Sequence, residues 1–131
     1  MKVLVDSHSY LWIKMDDPRL SRRARSILRG EENELYFSLT SLWEVSISIR
    51  LGRLRNLTST VAFVRDSLVE DGFNILPLRY EDILAMEHLP LVKDHRDPFD
   101  RMLIAQAINN ELPVLTNDAK IKLYPQIQTI W

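Results

Sequence analysis

The sequence predicts an α/β protein, a three-layer α/β/α sandwich around a mostly parallel central sheet. Short apolar runs alternate with longer helical segments along the 131 residues, the pattern of strands joined by helical crossovers. The opening run, Lys2 to Val5, is apolar without alternation, as befits a strand covered on both faces. Four carboxylates, Asp6, Glu44, Asp100 and Asp118, stand where strand is expected to give way to helix. In a parallel sheet such ends converge on one crevice.

The elements follow in order. After the first strand a helix is expected from Ser7 to Met15, ending at the turn Asp16-Asp17-Pro18. Ser21 can cap a second helix, SRRARSILRG, with Gly30 as its stop. Leu35 to Ser38 reads as the second strand. Next, Val45, Ile47 and Ile49 alternate with Ser46 and Ser48, which alone reads as a strand. Ser41 and Glu44 form an S-x-x-E capping box, however, and Gly52 sits at a helix stop, so helix is preferred. Another helix is expected over Thr58 to Asp71, closed by Gly72, then a strand over Phe73 to Leu76 and a short helix over Tyr80 to His88. Asp97-Pro98-Phe99-Asp100 opens a helix running to Asn109. A strand over Leu112 to Leu115, a short helix after Asp118 and a last strand over Gln128 to Ile130 complete the order.

The length suits one domain spanning 1–131. With 46% hydrophobic and 27% charged residues, disorder is not expected. No cysteine is present, which excludes disulfides, Cys-ligated zinc and thiol catalysis. The N-terminus enters a strand at once, without the regions of a signal peptide, and no apolar run is long enough to span a membrane. A cytoplasmic location is the expectation. A net charge of −1 argues against coating nucleic acid through bulk charge, though local capture of phosphate stays open. Neither G-x-G-x-x-G nor a P-loop occurs, so a dinucleotide or NTP cradle is unsupported.

Each carboxylate has an ordinary structural explanation. Asp6, Asp97 and Asp118 could cap helices, and Glu44 could complete its capping box. Two features favour chemistry instead. Glu44 has Thr40, Ser41, Ile47 and Ser48 at its i±3 and i±4 positions, with no Lys or Arg to neutralise it. Capping residues also need not converge, whereas ligands of one metal must. Gathered carboxylates repel unless a cation joins them, and an all-oxygen set suits Mg²⁺ or Mn²⁺. That combination predicts a metal-dependent phosphodiester hydrolase, with RNA as the preferred substrate. His8, His88 and His95 lack zinc spacing and read as structural or surface residues, with His8 alone placed near the site. A receiver-like domain would need paired acids after the first strand and a lysine after the last. A haloacid-dehalogenase-type phosphatase would need D-x-D; here the sequence is D-S-H.

The segments LVDSHSYLW, DDPRLSRRAR, SLTSLWEVSIS, HRDPFDRMLIAQA and VLTND, in this order and spacing, closely resemble the PIN-domain family. They are most similar to the VapC-like toxins of toxin–antitoxin pairs. The resemblance runs the whole chain and implies an Mg²⁺- or Mn²⁺-dependent endoribonuclease. It assigns metal binding and catalysis to Asp6, Glu44, Asp100 and Asp118, with Thr116 bordering the site. Asp97 ranks below these four, as a supporting group or only a helix cap. The resemblance also implies a cognate antitoxin, docked on the early helices, and a homodimer. Two positions depart from the family pattern. Ser7 replaces a common threonine, and Asn117 replaces a frequent arginine, which removes a possible phosphate contact.

RNA needs local positive charge to approach. Arg101, Arg96 and the run Arg50, Arg53 and Arg55 are the candidates, while the cluster from Arg19 to Arg29 reads as either a solvated face or a partner surface. Trp12 and Trp43 read as packing residues rather than base-stacking platforms. The alternative function is a catalytically silent PIN-like module that binds RNA or protein.

Overall fold

Lys2–Val5 forms β1, the central strand, with Val3, Leu4 and Val5 all fully buried. The computed structural model describes residues 1–58 and 60–131. The other strands are β2 (Glu34–Ser38), β3 (Asn74–Leu76), β4 (Val114–Leu115) and β5 (Thr129–Ile130). They lie in the order β3-β2-β1-β4-β5, and every pairing is parallel. Val5 sits opposite both Phe37 of β2 and Leu115 of β4, so β1 and β4 finish level while β2 runs one residue further, to Ser38.

Among the described residues, six α-helices connect them: α1 (Ser7–Lys14), α2 (Arg22–Arg29), α3 (Leu39–Arg50), α4 (Val61–Glu70), α5 (Tyr80–His88) and α6 (Pro98–Asn109). Side-chain alternation along β1 divides the interior in two. Val3 and Val5 join Tyr10, Ala24, Phe37, Val45 and Leu68 beneath α1 to α4. Leu4 joins Leu103, Ile104, Ala107 and Val114 beneath α6 on the opposite face. These two cores on either side of one sheet make the three layers. The chain builds outward from β1 through β2 and β3, then returns to place β4 and β5 on the other side. The carboxyl ends of β1 and β4 therefore flank the switch point where such folds hold ligands.

Several boundaries differ from expectation for local reasons. Ser38, not Ser41, caps α3, accepting a hydrogen bond from the Thr40 N–H at 3.1 Å. Helix α3 thus starts directly from β2, and Ser41 is buried inside it rather than forming a box with Glu44. Thr60 caps α4, so that helix begins later than Thr58; the expected position Ser59 lies outside the described residues. Gly52 and Gly72 follow α3 and α4 with φ of +72° and +81°, the left-handed turn glycine favours. Gly30 ends α2 differently, in extended conformation with φ of −75°. The helix expected after Asp118 is a single 3₁₀ turn, Ile121–Leu123. Among the described residues, no helix is long and apolar enough to cross a membrane.

Candidate active site

Asp6 follows β1 and precedes α1 in extended conformation, but its side chain makes no cap hydrogen bond. It is held from two other directions. The Thr116 hydroxyl, just beyond β4, donates to Asp6 Oδ2 at 2.8 Å, and the Ser7 hydroxyl lies 3.3 Å from Oδ1. Ser7 also donates to Glu44 Oε1 at 2.9 Å, so one hydroxyl links the carboxylates of two elements. Burial comes first among the causes that raise the Asp6 carboxyl, and the charge of Asp118 adds to it; His8 and the Thr116 bond oppose the rise. Glu44 is half-buried on α3 and is also raised, first by burial and then by Asp6 and Asp97, against the Ser7 bond and His8.

Helix α6 brings two more acids. Asp97 caps it as the sequence predicts, its Oδ1 accepting from the N–H groups of Phe99 (2.9 Å) and Asp100 (3.0 Å), with Pro98 in the first turn. Asp100 receives a partner that sequence reasoning misses. His95 is buried, and its Nε2 lies 3.0 Å from Asp100 Oδ2 while Nδ1 has no partner among the described residues. This leaves Nε2–H as the donor to the carboxylate. Burial pushes Asp100 up to about 6; the His95 bond pulls against this, and Asp97, Asp118 and Asp6 push the same way as burial. No periodic pattern could mark His95, because it lies in a loop and meets Asp100 only when Pro98 turns the chain into α6.

Glu44, Asp97 and Asp100 each offer an oxygen within 4.8 Å of the others. Asp97, ranked lowest from sequence, thus belongs to the tightest trio. Asp6 and Asp118 are near enough to act electrostatically on Asp100 but fall outside that trio. Asp118 accepts from the N–H groups of Lys120 (2.7 Å) and Ile121 (3.1 Å) through Oδ1, so it braces the turn that leads into the 3₁₀ turn. Its own N–H donates to Thr116 Oγ1 at 3.0 Å, which ties Thr116 to both acids.

Arg101 is not available to RNA. Its guanidinium is buried and donates to the carbonyls of Pro90 (2.9 Å) and Leu89 (2.8 Å) and to the Tyr124 hydroxyl (3.0 Å). Successive helix residues point ~100° apart, so Arg101 faces the core while Asp100 faces the crevice. Arg96 is exposed and paired with Asp94. Trp12 packs edge-on against Trp131, whereas Trp43 is largely exposed and meets Phe99 edge-on at 5.1 Å.

Comparison with known proteins bears on this arrangement. Searching curated protein sequences gave no match. Solved structures are similar along nearly the whole chain. VapBC2 of Rickettsia felis, bound to a promoter DNA fragment, has a TM-score of 0.73 at 13% identity, over 99% of this chain and 98% of that one. VapBC-1 of nontypeable Haemophilus influenzae has a TM-score of 0.70 at 14% identity, over 99% and 97%. A toxin–antitoxin complex from Klebsiella pneumoniae has a TM-score of 0.64 at 15% identity, over 98% and 96%. At these identities the likeness is one of fold. The sequence model of the PIN domain family matches residues 3–126, and this chain belongs to that family.

Proposed function

We propose that this chain is a divalent-cation-dependent endoribonuclease, the toxin of a toxin–antitoxin pair. The observation that carries the reading is the approach of Glu44, Asp97 and Asp100 within 4.8 Å of one another, with Asp6 and Asp118 close by. Carboxylates raised by burial and mutual repulsion are costly unless a cation joins them. The donors are all oxygen, which fits Mg²⁺ or Mn²⁺. Asp6, Glu44, Asp100 and Asp118 are the proposed ligands, with Asp97 available beside them. When bound, such an ion supplies Lewis-acid activation of water and stabilises charge on the departing oxygen of a phosphodiester.

The chain's own residues prepare this site. Ser7 and Thr116 hold Asp6 and Glu44 in fixed orientation, and His95 does the same for Asp100. Because backbone N–H groups engage Oδ1 of Asp97 and Asp118, their Oδ2 atoms remain for other partners. Pairing with an antitoxin is supported by the likeness to VapBC assemblies and a toxin–antitoxin complex. Homodimerisation is supported by Leu39, Trp43, Ile47 and Leu51, exposed apolar residues repeating every four positions along α3 and the turn after it. A cytoplasmic location accords with an RNA substrate.

The test is incubation of purified, antitoxin-free protein with total RNA and Mn²⁺ or Mg²⁺, beside EDTA and Asp100→Asn controls. Discrete fragments that vanish in both controls are expected. Intact RNA with cation-loaded, folded protein would overturn the nuclease reading in favour of a silent binding module.

A further inference from the structure

Two open cavities flank the carboxylates, and His8 is part of both. One is lined by Ser7, Glu44, Arg53, Asp97 and Phe99 among others; the second by Asp6, Trp12, Arg19, Asn117 and Asp118. Each lobe therefore holds acids of the candidate site and one arginine. Arg19 comes from the turn before α2 and shares its lobe with Asp6 before α1 and with Asp118 beyond β4.

Its guanidinium is fixed in place. It lies over the face of Trp12, 4.7 Å from the ring centre, and Trp12 is itself braced edge-on by Trp131. Asp17 grips it through Nε (3.0 Å) and Nη2 (2.7 Å). Of the five N–H donors on a guanidinium, this fork uses two, so others stay available on a side chain that is 64% exposed. An exposed ion pair within a turn contributes little stability, so bracing the turn does not account for this placement. Nor does bracing require the cation to share a cavity with Asp6 and Asp118. A held, outward-facing guanidinium suits a phosphate oxygen, and stacking removes much of the entropy that binding would otherwise lose.

We infer that Arg19 and Arg53 hold two phosphates of one RNA strand, one in each lobe, so that the strand crosses the carboxylates over His8 and places an intervening phosphodiester at the acidic cluster. This rests on the nuclease reading above and specifies the path of its substrate.

The test measures binding rather than turnover. Fluorescence anisotropy follows a labelled single-stranded RNA of random sequence, in Ca²⁺ and with its integrity verified on a gel, across a series of salt concentrations. One phosphate contact on single-stranded nucleic acid contributes about 0.7 to the slope of log affinity against log salt. Arg19→Gln is expected to lower the slope by about 0.7 and the affinity at 0.1 M salt by about fivefold. Arg53→Gln should do the same, and the double variant should lose both increments. Arg19→Lys retains the slope, and Arg65→Gln, remote on α4, changes nothing. A wild-type slope in Arg19→Gln, with wild-type RNA binding intact, would overturn the inference and leave the nuclease reading standing. Failure of the wild-type protein either to bind or to cut RNA would overturn both.

Discussion

Replacing His95 with Phe removes one hydrogen bond from the site and little else. The phenyl ring keeps the edge contact that His95 makes with Tyr124, whose ring centre is 5.7 Å away, and eliminates the unpartnered Nδ1. What disappears is the 3.0 Å bond to Asp100 Oδ2, made by a side chain only 1% exposed. A hydrogen bond to a charged group contributes about 1.5–3 kcal/mol, while removing a buried orphan nitrogen returns part of that. Metal-free stability should therefore fall by only about 1 kcal/mol. The larger effect falls on the cation. Asp100 already stands at about 6 with the His95 bond opposing its rise. Without that bond it climbs further, and near neutral pH less of it is ionised and ready to coordinate. Loss of a group that orients a metal ligand typically costs about 10–100-fold in metal affinity. Calorimetric titration with Mn²⁺ at pH 7 is the assay, comparing wild type, His95→Phe and His95→Gln, whose amide N–H can replace Nε2–H. The expected order is wild type, then Gln, with Phe weakest by at least tenfold. Equal Mn²⁺ affinity in wild type and His95→Phe would show that the His95 bond does not prepare Asp100 for the cation.

Other expected outcomes follow from particular contacts. The folded-state value of Asp100, about 6, lies above its ordinary 3.8, so the folded protein holds this proton more tightly than the unfolded chain. Its contribution to metal-free stability is accordingly complete below about pH 4 and is lost as pH rises through 6. Thermal melts in EDTA should show Asp100→Asn gaining stability relative to wild type across that window; a constant difference would contradict the burial argument. Saturation with Mn²⁺ at one hundred times its Kd should return about 2.7 kcal/mol, read as an upward shift of the melt that EDTA abolishes. Arg101→Met leaves the Leu89 and Pro90 carbonyls and the Tyr124 hydroxyl without their donor. A loss of about 3 kcal/mol is expected by chemical denaturation, with the salt slope of RNA binding unchanged. Trp43→Glu, on the exposed face of α3, should convert the proposed dimer to monomer in sedimentation without lowering the monomer's melting temperature.

The sequence was most legible where strong local signals agreed. Helix α5 runs from Tyr80 to His88 as expected, and Asp97 and Pro98 begin α6 where the capping pattern places it. The apolar run of β1 correctly announced a strand buried on both faces. Serine capping was less decisive around α3: Ser38 and Ser41 are both capable, and the end of β2 makes the choice. Helical geometry is consistent with the burial of Arg101, since the fully buried Ala105 stands one turn on from it, at i+4. The positions of His95 and Arg19 were not available. Both lie in loops without periodicity; His95 meets Asp100 through the turn into α6, and Arg19 comes beside Asp6 and Asp118 only when their segments pack.

The carboxylates at the ends of β1 and β4 and on α3 and α6 are proposed to form one cation site. Its most direct test is anomalous diffraction from Mn²⁺-soaked crystals of wild type and Asp100→Asn. An anomalous peak is expected among Asp6, Glu44, Asp100 and Asp118 in the wild type, absent or much weaker in the variant. A peak held elsewhere, or no peak at saturating Mn²⁺ with the crevice open to solvent, would contradict it.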